Sequence, residues 1–217
     1  MIFKNQYPVF SYFRMKLAIL LILNLMIFSF SARAQFAENN SLYLGTGFSV
    51  GNFSGADINF NYAKQRKWSA QFGIKSVSRE AENKPLDYSV GFFSAITLGL
   101  SNPKDEITSY QFLGGKMFLF GDSKVSIRLN LLTGPSINQI RRSVNFQRTN
   151  ESGIFGSTYT FDYEKSSGFG WIVKLSLELT FGKVFGLGLN PYLHFNSADF
   201  AYGFDFQILI GILQPSK

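Results

Sequence analysis

The stretch FAYGFDFQILIGI, Phe200 to Ile212, lies almost at the end of the chain and decides how the rest is read. Every second residue is large and apolar: Phe200, Tyr202, Phe204, Phe206, Ile208, Ile210 and Ile212. Between them stand Ala201, Gly203, Asp205, Gln207, Leu209 and Gly211. Side chains alternate faces along a strand with a period of two, so this segment is a strand with one greasy face and one thin, mostly polar face.

The same alternation recurs upstream. Leu42, Leu44, Phe48 and Val50 oppose Tyr43, Gly45, Gly47 and Ser49, and Ile58, Phe60 and Tyr62 oppose Asp57, Asn59 and Asn61. Trp68, Ala70, Phe72 and Ile74 oppose Ser69, Gln71, Gly73 and Lys75, while Val125, Ile127, Leu129 and Leu131 oppose Ser126, Arg128 and Asn130. Val173, Leu175, Leu177, Leu179 and Phe181 face away from Lys174, Ser176, Glu178 and Thr180. Phe185, Leu187, Leu189, Leu193 and Phe195 alternate with Gly186, Gly188, Asn190, Tyr192 and His194. Turn-forming clusters separate these runs at Lys64–Lys67, Ser101–Glu106, Gly121–Lys124, Gly182-Lys183 and Asn196–Asp199. Around Ser89–Leu100 and Thr108–Phe120 the pattern is less clean, with Phe93, Leu113 and Met117 on the polar face.

Antiparallel strands joined by short turns close into a sandwich, an open sheet or a barrel. The polar face discriminates. A water-exposed face is rich in Lys and Glu; here it is Gly, Ser, Asn and Gln with few charges, which suits a narrow, crowded lumen. The Phe, Leu and Ile face then points at lipid, and ring closure satisfies every backbone group without water. The expected fold is all-β, an antiparallel up-and-down transmembrane β-barrel of eight strands, with ten as the alternative. Eight follows if Leu42–Ala63 is one long strand with a bulge near Gly51–Gly55. Ten follows if that stretch is a hairpin and Val125–Arg148 holds a further break. Ser143–Arg148 and Thr158–Tyr163 read as a hairpin projecting past the membrane around NESGIFGS.

The beginning of the chain says how such a barrel is exported. Met15-Lys16 precedes the apolar run LAILLILNLMIFSF, Leu17 to Phe30, and then Ser31-Ala32-Arg33-Ala34. A positive start, an apolar core and small residues at minus three and minus one predict a signal peptide cleaved after Ala34. Residues 1–34 are therefore read as upstream residues plus signal peptide, and 35–217 as the barrel domain. Four of the 21 basic residues and none of the 14 acidic ones lie before that cut, so the mature chain is only mildly basic and nucleic acid is no expected partner.

The inventory of reactive side chains is thin. There is no Cys and one His among 217 residues, which excludes disulfides, thiolate sites and multi-His metal sites; no cofactor is expected. The polar face carries a candidate charge cluster of Asp57, Lys75, Arg128, Lys174 and Glu178, with Arg128 close to Glu178 if their strands pair. It reads either as an ion-selective constriction or as a plug of salt bridges, the second being favoured because buried charges must be paired. His194 has Ser197 three positions on and Asp199 and Asp205 downstream, a poor spacing for a deacylase-like nucleophile and base. Trp68, Trp171, Tyr43, Tyr62 and Tyr192 are candidates for interfacial girdles. Arg141-Arg142 could touch lipopolysaccharide phosphates or simply belong to a solvated loop.

With a signal peptide, strands throughout the cysteine-free remainder and an alternating terminal strand, the chain resembles the small outer-membrane β-barrel proteins of Gram-negative bacteria, of the outer-membrane β-barrel-domain kind. The stretch LLTGPSI, Leu131 to Ile137, is similar to a strand of those families, while the ending ILQPSK departs from their usual aromatic terminus. The resemblance implies a monomer in outer-membrane lipid and lipopolysaccharide, inserted by the barrel-assembly machinery. Its role would be structural, adhesive or that of a narrow channel. A lipid A-modifying enzyme and a soluble secreted ligand-binding barrel are the alternatives.

Overall fold

Strands with one apolar and one polar face are stable only when both edges are paired and each face meets a matching medium. In a computed structural model the chain meets the first condition by ring closure. The structure describes residues 40–65, 67–89, 102–120, 125–149, 157–197 and 199–213. The expected signal peptide, nearly all of the expected strand Ser89–Leu100, the Gly121–Lys124 turn and most of NESGIFGS lie outside these residues.

Eight strands follow in order: β1 (Asn40–Gly51), β2 (Ser54–Lys64), β3 (Trp68–Glu80), β4 (Lys104–Phe120), β5 (Val125–Arg148), β6 (Tyr159–Phe181), β7 (Phe185–Asn196) and β8 (Phe200–Ile212). Each pairs antiparallel with its neighbours, and β8 returns to β1 from Leu42↔Ile212 to Gly51↔Gly203, closing the barrel. The count of eight holds, but by a different division. Leu42–Ala63 is not one bulged strand; it is the hairpin β1–β2, from Asn40↔Lys64 to Ser49↔Gly55. The turn escaped the sequence pattern because its tip is Asn52-Phe53, an apolar residue where turn chemistry calls for a polar one. Phe53 is buried inside the mouth with Val77, Ile107, Ile140, Tyr192 and Ala201. Asn52 continues the β8 ladder, its backbone N–H donating to the Tyr202 carbonyl at 3.2 Å.

Other turns fall where expected. Gly182 adopts φ +68 between β6 and β7, and Gln65 adopts φ 49 between β2 and β3. The Ser101–Glu106 cluster is only partly a turn, because β4 already begins at Lys104.

The two ends of the barrel differ. The first and last strands end together with the turns β2–β3 and β6–β7, and here the connections are short. At the far end β5 and β6, 24 and 23 residues long, outrun their neighbours. The β4 ladder stops at Glu106↔Arg141 and the β7 ladder at Gly170↔Asn196, while β5 and β6 stay paired to Arg148↔Tyr159. Their ends form a projecting ribbon with a bulge between Val144 and Gln147. Aromatic rings stiffen it: Phe146 lies 5.6 Å from Phe161, which lies 5.3 Å from Tyr163. The segment after β3 leans on the ribbon, with Tyr88 6.2 Å from Tyr159 and the Tyr159 hydroxyl donating to Asp87 at 2.7 Å. That bond to a carboxylate, with a little desolvation, holds the Tyr159 hydroxyl above its ordinary pKa.

The faces are sorted as a lipid-facing barrel requires. Phe48, Phe60, Phe72, Phe112, Leu131, Leu175, Leu187 and Phe206 point outward and are exposed. Ser49, Asn59, Asn61, Gln71, Gln111, Asn130, Asn138 and Gln207 point inward and are buried. Leu113 and Met117 take inward positions, and Leu113 packs in the lumen against Leu132 and Ile172. Trp68 and Trp171 are outward, but Tyr43 and Tyr192 are lumen residues and belong to no outer girdle.

Candidate functional site

The interior of an eight-stranded barrel is just wide enough for side chains to fill it. Here β2, β3, β5, β6 and β8 each aim charge into that space. Asp57, Lys75, Arg128, Lys174 and Glu178 are all lumen residues and all buried. They form two groups rather than one.

The first group centres on Asp205, which the sequence showed only as one residue of a thin polar face. Its carboxylate accepts from the Lys75 ammonium at 2.7 and 2.9 Å and pairs with the Lys174 Nζ at 3.0 Å. The Ser49 hydroxyl donates to it at 2.5 Å. Asp57 is the more distant partner of Lys174, at 4.0 Å, and accepts from the Asn59 and Gln207 amides. Asn59 accepts in turn from Asn61, and Asn61 from Gln71, so an amide ladder runs along the β2 face. The Lys75 ammonium also sits 3.2 Å from the centre of the Tyr192 ring. The second group is nearer the chain ends. Arg128 meets Glu178 at 2.6 Å, and the Tyr43 hydroxyl donates to the same carboxylate at 2.8 Å. Together the groups hold three cations and three anions, so the lattice is neutral.

Among the described residues, side chains turn inward at both mouths. At the terminal mouth Leu213 folds inward against Tyr43 and Leu209. Its carbonyl accepts from Ser41 Oγ at 2.8 Å and Arg128 Nη1 at 3.1 Å, and its N–H donates to the Lys183 carbonyl. At the far mouth Arg79 covers Phe53, 4.5 Å above the ring, and reaches Asp199 at 2.5 Å, Glu82 at 2.8 Å and Asp105 at 3.6 Å.

His194 does not meet Ser197. It is a buried lumen residue whose Nε2 lies 2.9 Å from Ser136 Oγ on β5. Asp205 is engaged by the two lysines and Asp199 by Arg79, so the acid, base and nucleophile of a deacylase-like site are not assembled around His194 and Ser197. Arg141 and Arg142 do not act together either. Alternation splits them: Arg141 faces outward, paired to Glu106 at 2.6 Å, whereas Arg142 turns to Asp199 at the mouth, 3.7 Å away.

Fold and site define the molecule as a closed eight-stranded antiparallel barrel, apolar outside and ion-paired within. Solved structures similar to it include the attachment invasion locus protein Ail of Yersinia pestis, at 12% identity and TM-score 0.46, over 80% of this chain and 98% of that one. The same protein in complex with the heparin analogue sucrose octasulfate gives 14%, a TM-score of 0.41, and coverage of 79% and 96%. As the outer membrane protein Ail in a phospholipid bilayer nanodisc it gives 14%, 0.44, and coverage of 79% and 98%. No protein-family model matches the chain, and no curated protein matches it.

Proposed function

We propose that this chain is a non-enzymatic outer-membrane barrel with a sealed lumen, a lipid-embedded anchor that presents the β5–β6 ribbon outside the membrane as its contact surface for adhesion. Three consecutive residues carry the reading: Phe204 is 51% exposed, Asp205 0% and Phe206 44%. Phenylalanine outside and carboxylate inside is the reverse of a water-soluble ligand-binding barrel, whose apolar face lines its cavity. Among structural, adhesive and channel roles, the ion-paired lumen favours the first two, because among the described residues paired charged side chains occupy its interior. Short connections mark the periplasmic end of such barrels, which supports placing the chain termini in the periplasm and the ribbon outside. Export would use the segment Met15–Ala34, and insertion as a monomer would use the barrel-assembly machinery.

The test has two stages. Heat-modifiable mobility in the outer-membrane fraction is expected; a soluble periplasmic protein without the shift would overturn the membrane reading. In planar bilayers the folded chain is expected to give no steady unitary current, and a stable conductance would replace the anchor by a channel.

A further inference from the structure

A dent in the outer wall lies where a proline interrupts the sheet. β6 and β7 pair at Lys174↔Tyr192 and again at Leu177↔Leu189, but not between. The register sets Leu175 opposite Pro191, and proline has no N–H to donate, so the Leu175 carbonyl loses its ladder donor. On its other side Pro191 keeps its place in the ladder, opposite Phe204 on β8. Pro135, also within a strand, interrupts the β4–β5 ladder in the same way, between Gln111↔Ser136 and Gly114↔Thr133. There the chain sets donors of its own beside the break: the indole N–H of Trp171, opposite Pro135, and the Thr133 hydroxyl, 2.8 Å apart. Around Pro191 the outward side chains are Leu131, Val173, Leu175, Leu193 and Phe204, with Tyr202 the one hydrogen-bonding group among them.

These side chains enclose an open apolar groove of about 360 Å³ at the middle of β7. A backbone group facing hydrocarbon has no water to turn to, so a carbonyl without its donor favours a neighbour that brings one. An alkyl chain would fill the dent but leave the carbonyl unpaired. The shape of the face selects a better occupant. Phe204 is 51% exposed and stands on the same rung as Pro191, so a large ring sits directly beside the dent. Two such faces related by a twofold axis along the membrane normal oppose ring to dent and dent to ring, the self-complementarity an isologous contact needs. We propose that a second copy of this chain, inserted in the same membrane, packs on the β6–β8 face. Each Phe204 seats on the other copy's Pro191, and each Tyr202 hydroxyl donates to the other copy's Leu175 carbonyl.

This rests on the membrane reading above, and the experiment separates the two. The chain has no Cys, so one introduced thiol reports one position. Leu193→Cys places it in the groove, and Phe72→Cys places it on β3, four strands away around the ring. The full chain of each variant is folded into phosphatidylcholine vesicles over a range of protein-to-lipid ratios, treated with a short bismaleimide and run on a denaturing gel. Leu193→Cys should give a covalent dimer at ratios where Phe72→Cys stays monomeric. Added to Leu193→Cys, Tyr202→Phe should weaken the dimer about tenfold, the scale of one hydrogen bond between membrane segments. Pro191→Ala, which restores the ladder N–H, should weaken it as much while the barrel stays folded. Equal yields at the two thiol positions, or a dimer unmoved in the Pro191→Ala/Tyr202→Phe double variant, would overturn the pairing. No dimer from Leu193→Cys at any ratio would overturn it too and give the groove to acyl chains. Heat-modifiability of each variant shows separately whether the barrel stands; its absence in the wild type would sink the membrane reading itself.

Discussion

Arg128 and Glu178 stand directly opposite each other on β5 and β6, and their side chains meet at 2.6 Å inside the barrel. Glu178→Gln would leave the guanidinium uncompensated in a closed interior, a loss of roughly 3–5 kcal/mol. Urea titration of the chain in lipid vesicles measures it. The double variant R128M/E178M, which removes both charges, should recover most of the loss. If it unfolds as early as the single variant, the pair is not a coupled unit.

Asp205 and Asp57 make unequal claims on the same lysines. Asp205 binds both Lys75 and Lys174 within 3.0 Å, whereas Asp57 reaches only Lys174, at 4.0 Å. Asp205→Asn should therefore cost roughly 3–5 kcal/mol and Asp57→Asn roughly 1–3, since the amide still accepts from its neighbours. The same unfolding assay ranks them, and a reversed order would move the centre of the lattice to Asp57.

A lysine on the outer face reports depth. Phe206 lies at the middle of β8 and Phe200 at its far end. In vesicles Phe206→Lys should destabilise by about 2–4 kcal/mol and Phe200→Lys by about 0–1. Equal, small effects would be the signature of a face in water rather than in lipid.

Glycine positions differ as sharply. A Cβ on Gly47 would sit 1.8 Å from the Phe206 carbonyl oxygen, at the β1–β8 seam, whereas one on Gly114 would meet nothing within 4 Å. Gly47→Ala should prevent closure, seen as loss of the heat-modifiable band, and Gly114→Ala should change stability by less than about 0.5 kcal/mol.

Most of the barrel was legible in the sequence because alternation is a local property: a period of two shows in any ten residues, and FAYGFDFQILIGI carries it without help. The exception proves the same physics. The β1–β2 turn was hidden because Phe53 leaves the strand to plug the mouth, so an apolar residue stood where a turn residue was expected. Charge balance held one unused clue. The five residues read as a cluster carry three cations and only two anions, a sum that a closed lumen does not tolerate, and Asp205 is the missing anion.

What the sequence determined by itself was which face of each cleanly alternating strand is apolar and which is polar. What only the tertiary structure decided was register. Pairing places Lys165 beside Arg141 although 23 residues lie between them, and brings Arg142, which alternation alone sets on the opposite face, within 3.7 Å of Asp199. It likewise gives His194 to Ser136 instead of Ser197. A one-residue slip would exchange every such partner while leaving each strand's own pattern intact, so partners are written in ring closure and turn lengths, which no single strand contains.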